Sequence, residues 1–181
     1  MATYIALLRG INVSGHNIIK MELLRKVLGE LDFENISTYI QSGNIIFDSS
    51  IADVAVLENQ IAKKIEEHFG FLVLVRITTI QELKMIVFEN PFVQENLLDD
   101  KQPYVAFLSE VPVSNNLEQL QAIDFANDRF VNKNKALYLW YADSAANTKL
   151  NNVIIEKKLL LKATSRNWKT ILKLIALVEN N

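Results

Sequence analysis

The sequence has no cysteine among its 181 residues and only two histidines. The absence of cysteine excludes thiol nucleophiles, disulfides, and cysteine-ligated zinc and iron–sulfur sites. Two separated histidines without clustered carboxylates give no set of metal ligands, so we expect no metal and no other cofactor. The composition, with 50% hydrophobic and 22% charged residues, is typical of a soluble globular protein.

Long hydrophobic runs are also absent. No apolar run approaches the roughly 18 residues that a membrane span needs, and the first residues lack the basic and apolar segments of a signal peptide. We therefore expect a cytoplasmic protein of bacterial type that has no membrane partner. The net charge of −2 provides no overall field that would attract nucleic acid.

Two short polar motifs each stand at the end of an apolar run. Arg9–Asn12 (Arg-Gly-Ile-Asn) directly follows residues 4–8, and Gln41–Asn44 (Gln-Ser-Gly-Asn) lies between residues 37–40 and 45–47. Arginine, asparagine, glutamine and serine side chains beside flexible glycines can surround a small polar or anionic group. The two motifs indicate a candidate binding site, but they define no reaction.

The hydrophobic pattern of the first half predicts the element order β-α-β-β-α-β. This order is the split βαβ, or ferredoxin-like, arrangement of an α+β protein. Asp53 is the predicted N-cap of the second helix, and Gly70 is the predicted residue that ends it. The predicted strands are 3–8, 36–41, 44–48 and 71–77, and the predicted helices are 20–31 and 54–69.

The second half repeats most of this pattern. It begins with a strand at 104–109 and ends with two helices at 148–161 and 165–178, so we predict β-α-β-β-α with the last strand replaced by a helix. A polar stretch around residues 99–101 separates the two halves. The predicted organisation is an N-terminal subdomain with a short extra helix at 1–93, a linker at 94–103 and a C-terminal subdomain at 104–181.

The predicted topology brings the two polar motifs together. The first two strands of a ferredoxin-like sheet are parallel, so their carboxyl ends lie at one edge, where the third strand begins beside the first. We expect Arg9 to supply charge, the amides to orient a ligand, and Lys20 or Arg166 to make secondary anion contacts. The candidate ligand-binding residues are Arg9, Asn12, Lys20, Gln41, Ser42, Asn44 and Arg166.

Several stretches of the chain resemble a bacterial family catalogued as domain of unknown function 1697. The matching stretches are 8–13 (Leu-Arg-Gly-Ile-Asn-Val), 20–21, 38–44, 69–70, 90–92 and 164–170 (Thr-Ser-Arg-Asn-Trp-Lys-Thr). The resemblance implies a duplicated α+β fold of ferredoxin-like type and no established activity. The family commonly has Gly-Gly-Lys where this chain has Ser14-Gly15-His16, so a lysine role in that loop does not carry over.

Other functions stay open at this stage. Between Lys149 and Lys173 there are seven basic residues and one acid, which makes a nucleic-acid-binding module the main alternative to a small-ligand site. The predicted central strands lack the aromatic alternation that stacks bases, so we favour the small ligand. A protein–protein interaction module is a further alternative. Ser42 and His16 give little basis for a hydrolase, because a nucleophile also needs a base held in position by a third group.

Overall fold

The computed structural model describes residues 1–13, 15–94 and 103–180. Contacts divide the chain into two compact units, of which the first contains Met1–Lys84 with Leu174–Asn181 and the second contains Met85–Lys173. The two divisions, between residues 84 and 85 and between residues 173 and 174, each fall within a helix. The predicted linker at 94–103 stays a prediction. Most of that linker, residues 95–102, lies outside the described residues.

The first unit contains four strands and the helices that connect them. Its elements are β1 (Ala2–Arg9), α1 (Met21–Leu28), β2 (Glu34–Tyr39), β3 (Asn44–Ser49), α2 (Val54–Phe69) and β4 (Leu74–Thr78). The next elements are α3 (Ile80–Glu89), α4 (Pro91–Gln94), β5 (Pro103–Leu108), α5 (Ser114–Gln121), β6 (Arg129–Lys133) and β7 (Ala136–Trp140). The last are α6 (Asn152–Leu159), β8 (Ala163–Asn167) and α7 (Trp168–Glu179).

The sheet of the first unit has the strand order β2-β3-β1-β4, and all neighbouring strands are antiparallel. The predicted element order β-α-β-β-α-β is confirmed for this unit. Because β1 and β2 both run antiparallel to β3, they are parallel to each other. Residues 4–8 of the central strand β1 are buried, as their continuous apolar run predicts. Leu24 of α1 and Ile61 of α2 share a buried core with strand residues such as Ala6 and Ile45.

Both predicted ends of α2 are confirmed. The Asp53 carboxylate oxygen Oδ1 accepts hydrogen bonds from the backbone N–H groups of Ala55 and Val56, at 2.9 and 3.3 Å. Gly70 ends the helix with φ +80°, and its N–H donates to the carbonyl of Glu66 at 2.9 Å. These two caps satisfy backbone groups that a helix cannot pair within itself, so they fix its length.

The second unit repeats the same order, with strands β6-β7-β5-β8 in an antiparallel sheet. The prediction that its last strand is replaced by a helix is wrong, because Ala163–Asn167 forms β8 and pairs with β5. This strand has only five residues, most of them polar, and α7 follows without a connecting loop. Its sequence therefore resembles a helix N-terminus. The residue that caps α7 is Asn167, whose side chain accepts the N–H of Thr170 at 2.8 Å.

In each unit, a glutamate in the helix before the last strand of the sheet protects the backbone of that edge strand. Glu58 is the fifth residue of α2, and its Oε1 accepts the N–H of Ile77 in β4 at 2.9 Å. Glu156 is the fifth residue of α6, and its Oε1 accepts the N–H of Ala163 in β8 at 2.9 Å. Edge strands otherwise present unpaired N–H groups to other chains. The shared device supports an internal duplication of the fold.

No helix in the described part of the chain is both long enough and apolar enough to cross a membrane.

We predict that Glu58→Ala destabilises the first unit by about 1–3 kcal/mol, because the buried N–H of Ile77 loses its acceptor. Arg76 loses one of its two acidic partners in the same variant. Urea unfolding measures the stability, and amide exchange of Ile77 reports the effect locally. Glu67→Ala is the matched control, since Glu67 lies in the same helix and makes an exposed ion pair with Lys63. Equal effects of the two variants would contradict the assigned role of Glu58.

Candidate functional site

The two polar motifs meet at one end of the first sheet. Leu7 lies opposite Asn44 in the ladder between β1 and β3, and the N–H of Leu8 donates to the carbonyl of Gly43 at 2.8 Å. Beyond β1, the side-chain amide of Asn12 donates to the carbonyl of Gln41 at 2.8 Å. The predicted convergence is therefore observed, although this contact joins a side chain to a backbone carbonyl and not two side chains.

Asn12 holds the loop after β1 against the turn between β2 and β3. Its Nδ2 donates to the carbonyls of Gln41 and Ile19, at 2.8 and 3.0 Å, and its Oδ1 accepts the N–H of Ile19 at 2.8 Å. An asparagine amide has two N–H donors, so both are used within the protein. Asn12 therefore holds the two loops together, and its predicted role in orienting a ligand stays a prediction.

The loop between β1 and α1 is closed by its own hydrogen bonds. The Asn17 side chain donates to the carbonyl of Gly10 at 3.0 Å, and the N–H of Asn12 donates to the carbonyl of Asn17 at 3.1 Å. The N–H of His16 donates to Val13 at 2.9 Å. At least two of the loop N–H groups are therefore directed at the loop itself. Ser14, which belongs to the loop that departs from the resembling family, lies outside the described residues.

Asn44 holds the turn between β2 and β3 from inside. Its side chain is fully buried, and Nδ2 donates to the carbonyl of Tyr39 at 3.0 Å and to the Ser42 hydroxyl at 3.1 Å. The turn also contains Ile40 at φ +51°, a left-handed conformation that β-branched residues rarely adopt. Asn44 is therefore buried inside the turn and supports its backbone, and its predicted role in orienting a ligand stays a prediction.

Four of the predicted site residues lie on the outside of these joined loops, and we call this group the Arg9 edge: Arg9, Lys20, Gln41 and Ser42. Arg9 ends β1 and is half-buried, whereas the other three residues are exposed. Arg9 directly follows Leu8, whose N–H donates to the carbonyl of Gly43 in the turn. Lys20 directly follows Ile19, whose backbone N–H and carbonyl are both hydrogen-bonded to the side chain of Asn12. The Arg9 edge therefore belongs to one hydrogen-bonded frame.

Arg166 does not lie at the start of the last helix, as the predicted helix 165–178 would place it. It lies in β8 of the second unit, opposite Val105, and it is buried. Its Nη1 donates to the carbonyl of Ser165 at 2.9 Å, and burial lowers the pKa of the Arg166 guanidinium to about 10. The Arg9 edge of the first unit is therefore described without Arg166.

Arg76 is a cation near the site that the sequence analysis did not select. Leu7 pairs with Arg76 and Arg9 pairs with Leu74, so Arg76 points to the same face of the sheet as Arg9. Its Nη2 lies 2.8 Å from Glu82, and its Nη1 lies 3.8 Å from Glu58. In the sequence, Arg76 stands between the apolar residues Val75 and Ile77, and this alternation indicates that its side chain lies on the opposite face of the strand from theirs. Because two acids compensate Arg76, it adds little net charge beside Arg9.

The two repeated units define the class of the molecule, a duplicated α+β protein with a four-stranded antiparallel sheet in each half. A family model described as "Protein of unknown function (DUF1697)" matches residues 1–138, and the chain belongs to this family. The resemblance seen in the sequence motifs is thereby confirmed. A comparison with curated proteins finds no match.

A similar solved structure is that of the conserved bacterial protein SP0830 from Streptococcus pneumoniae. The two proteins are 22% identical, and the TM-score is 0.72 over 96% of this chain and 97% of that chain. At this level of identity the likeness concerns the fold alone.

We predict that Gly43→Ala destabilises the first unit more than Gly10→Ala does. Both glycines have positive φ, +77° and +70°, so both variants carry a similar backbone cost of about 1–2 kcal/mol. A Cβ on Gly43 would also lie 2.7 Å from the Cβ of Leu8 and 2.7 Å from the Cδ1 of Ile11, whereas a Cβ on Gly10 meets nothing within 4 Å. Such overpacking adds about 1–3 kcal/mol.

Thermal and urea unfolding of the two variants measure this difference directly. Equal destabilisation would show that the close approach of the turn to β1 is not a constraint on the fold.

Proposed function

We propose that the first unit binds a small anionic or polar ligand at the Arg9 edge. The observation that supports this proposal is the pair of hydrogen bonds that join the loops, from Asn12 to Gln41 and from Leu8 to Gly43. These bonds join the loops that carry Arg9, Lys20, Gln41 and Ser42, whose side chains end in a guanidinium, an ammonium, an amide and a hydroxyl. The family membership neither assigns a ligand nor limits the choice.

Arg9 is the anchor of the proposed site. A planar guanidinium binds a carboxylate or a phosphate through two parallel hydrogen bonds, which a lysine ammonium cannot do. Arg9 is half-buried at the end of a central strand, so it has lost part of its conformational freedom before a ligand arrives. A restricted side chain gives up less entropy on binding than an exposed one.

The start of α1 adds a second source of positive potential. Helix N-termini carry unpaired N–H groups and a partial positive charge, which favour anions. Lys20 is the N-cap of α1 and its side chain makes no capping hydrogen bond. The Lys20 ammonium and the N–H groups at the start of α1 therefore have the same sign of potential as Arg9, although Glu22 in the first turn offsets part of it. Gln41 and Ser42 supply neutral hydrogen-bonding groups.

The proposal is limited to binding and includes no reaction. The Ser42 hydroxyl accepts a hydrogen bond from the Asn44 amide, and an amide is a donor that cannot take up the serine proton as a base would. The basic stretch from Lys149 to Lys173 is distributed over a loop, α6, β8 and α7, and its arginine is buried. It therefore forms no single helix face along which a phosphate backbone would run.

We predict that Arg9→Ala weakens binding of inorganic phosphate or a small carboxylate by about 1.5–3 kcal/mol, because a charged hydrogen-bond donor is lost. This loss corresponds to roughly a 10- to 150-fold increase in Kd. Arg9→Lys should recover only part of the affinity, since it keeps the charge but not the planar fork. Lys63→Ala removes an exposed charge on α2 and should leave binding unchanged. Isothermal titration calorimetry measures all four proteins.

The competing nucleic-acid function is tested with the Lys158→Ala/Lys162→Ala double variant and a short oligonucleotide. If a phosphate backbone contacts these lysines, each lost contact reduces the slope of log K against log salt by about one unit. Tight oligonucleotide binding that only the lysine variant abolishes would contradict the proposal. Absence of both phosphate and oligonucleotide binding would favour a protein–protein interaction module.

A further inference from the structure

The first unit has a cavity of about 560 Å³ at the other end of its sheet. Thr3 and Arg9 lie six residues apart in β1, so the cavity is about 20 Å from the Arg9 edge. Its size is within the range of small-molecule sites. The polar lining residues are Thr3, Asn35, Ser37 and Asp48, and apolar walls come from Ile46 and from Val178 of α7.

Asp48 is the charged group of this cavity, and both of its oxygens are held in place. The Thr3 hydroxyl donates to Oδ1 at 2.6 Å, and the Asn35 amide donates to Oδ2 at 2.7 Å. The hydrogen bond from Asn35, followed by that from Thr3, lowers the pKa of Asp48 below its usual range. The group is therefore a carboxylate at neutral pH, with an orientation fixed by two neutral donors.

The backbone of β2 is shaped so that Asn35 reaches Asp48. Asn35 has φ +50°, and the pairing between β2 and β3 shifts in register between Glu34 and Ser37. Bulges of this kind redirect a side chain out of the regular alternation of a strand. The same register places Glu34 directly opposite Asp48, which puts two acids side by side across the ladder. Like charges in this position are unfavourable unless a cation offsets them.

The two hydrogen bonds to Asp48 come from neutral donors, and the charged group that also lowers the pKa of Asp48 is the N-terminal ammonium. Thr3 and Asn35 are neutral, and no lysine, arginine or histidine side chain of the described residues forms an ion pair with Asp48. Each carboxylate oxygen accepts one of these bonds and has a further lone pair for a second donor. The group that complements this arrangement is a cation with at least two N–H donors.

We propose that this cavity binds a small organic cation, in which a guanidinium or primary ammonium group on a short alkyl chain pairs with Asp48. The cationic group donates to the two remaining lone pairs of the carboxylate, and the Ser37 hydroxyl offers a further acceptor. The alkyl chain packs against Ile46 and Val178, which form the apolar part of the lining. This site is independent of the Arg9 edge and takes ligands of the opposite charge.

The test is a titration of the protein with n-butylguanidinium, n-butylammonium and the neutral isostere n-butylurea, followed by amide chemical shifts. We expect saturable shifts at Asn35 and Asp48 with one or both cations, and binding of the urea at least about tenfold weaker. Asp48→Asn, which keeps the side-chain volume, should weaken cation binding at least about tenfold. Asp143→Asn, which removes an exposed acid of the second unit, should leave it unchanged.

A second variant keeps the proposal testable if Asp48→Asn fails to fold. Val178→Phe narrows the cavity without changing Asp48, and it should also weaken cation binding. The proposal is overturned if the wild-type protein gives no saturable shifts at Asn35 and Asp48. It is equally overturned if n-butylurea binds as well as the cations, or if the folded variants of Asp48 and Val178 bind like the wild type.

Discussion

The antiparallel pairing of β1 with β3 is the constraint on which the first unit depends. It sets Leu7 opposite Asn44, and the turn before β3 then lies against the end of β1 so closely that residue 43 has no room for a side chain. Because β2 runs parallel to β1, everything that follows these two strands collects at one end of the sheet. The Arg9 edge exists because of this pairing, and the asparagines then fix its details.

The polar residues of the motifs divide into two groups, one that holds the loops together and one that lies on their outside. Asn12 and Asn44 direct their amides inward, to the carbonyls of Ile19, Gln41 and Tyr39, and so they hold the frame. Arg9, Lys20, Gln41 and Ser42 are carried on the outside of that frame. The other end of the same sheet carries the carboxylate of Asp48, so one small sheet presents a cationic end and an anionic end about 20 Å apart.

The sequence predicts the fold where one local signal decides the structure. Asp53 and Gly70 mark α2 because a cap satisfies backbone groups next to it in the chain, and parallel β1 and β2 follow from the element order. The strand β8 was missed, since Ala163–Asn167 is held by pairing with a distant strand and not by its own pattern. Two further features depend on positive backbone φ or on tertiary contacts: the inward direction of the Asn12 and Asn44 amides, and the contact of Asn35 with Asp48. The periodicity of the sequence reveals neither a positive φ nor a tertiary contact.

In the proposed anion site, Asn12 holds the loop that follows Arg9 and the neighbouring turn in one frame. The most direct measurement is a double-mutant cycle for phosphate affinity with Asn12→Gly, which permits the same φ of +53°, and Arg9→Ala. We predict that Asn12→Gly weakens phosphate binding in the wild-type background and has little further effect once Arg9 is absent. Losses that simply add, or an Asn12→Gly protein that binds phosphate like the wild type, would contradict this prediction.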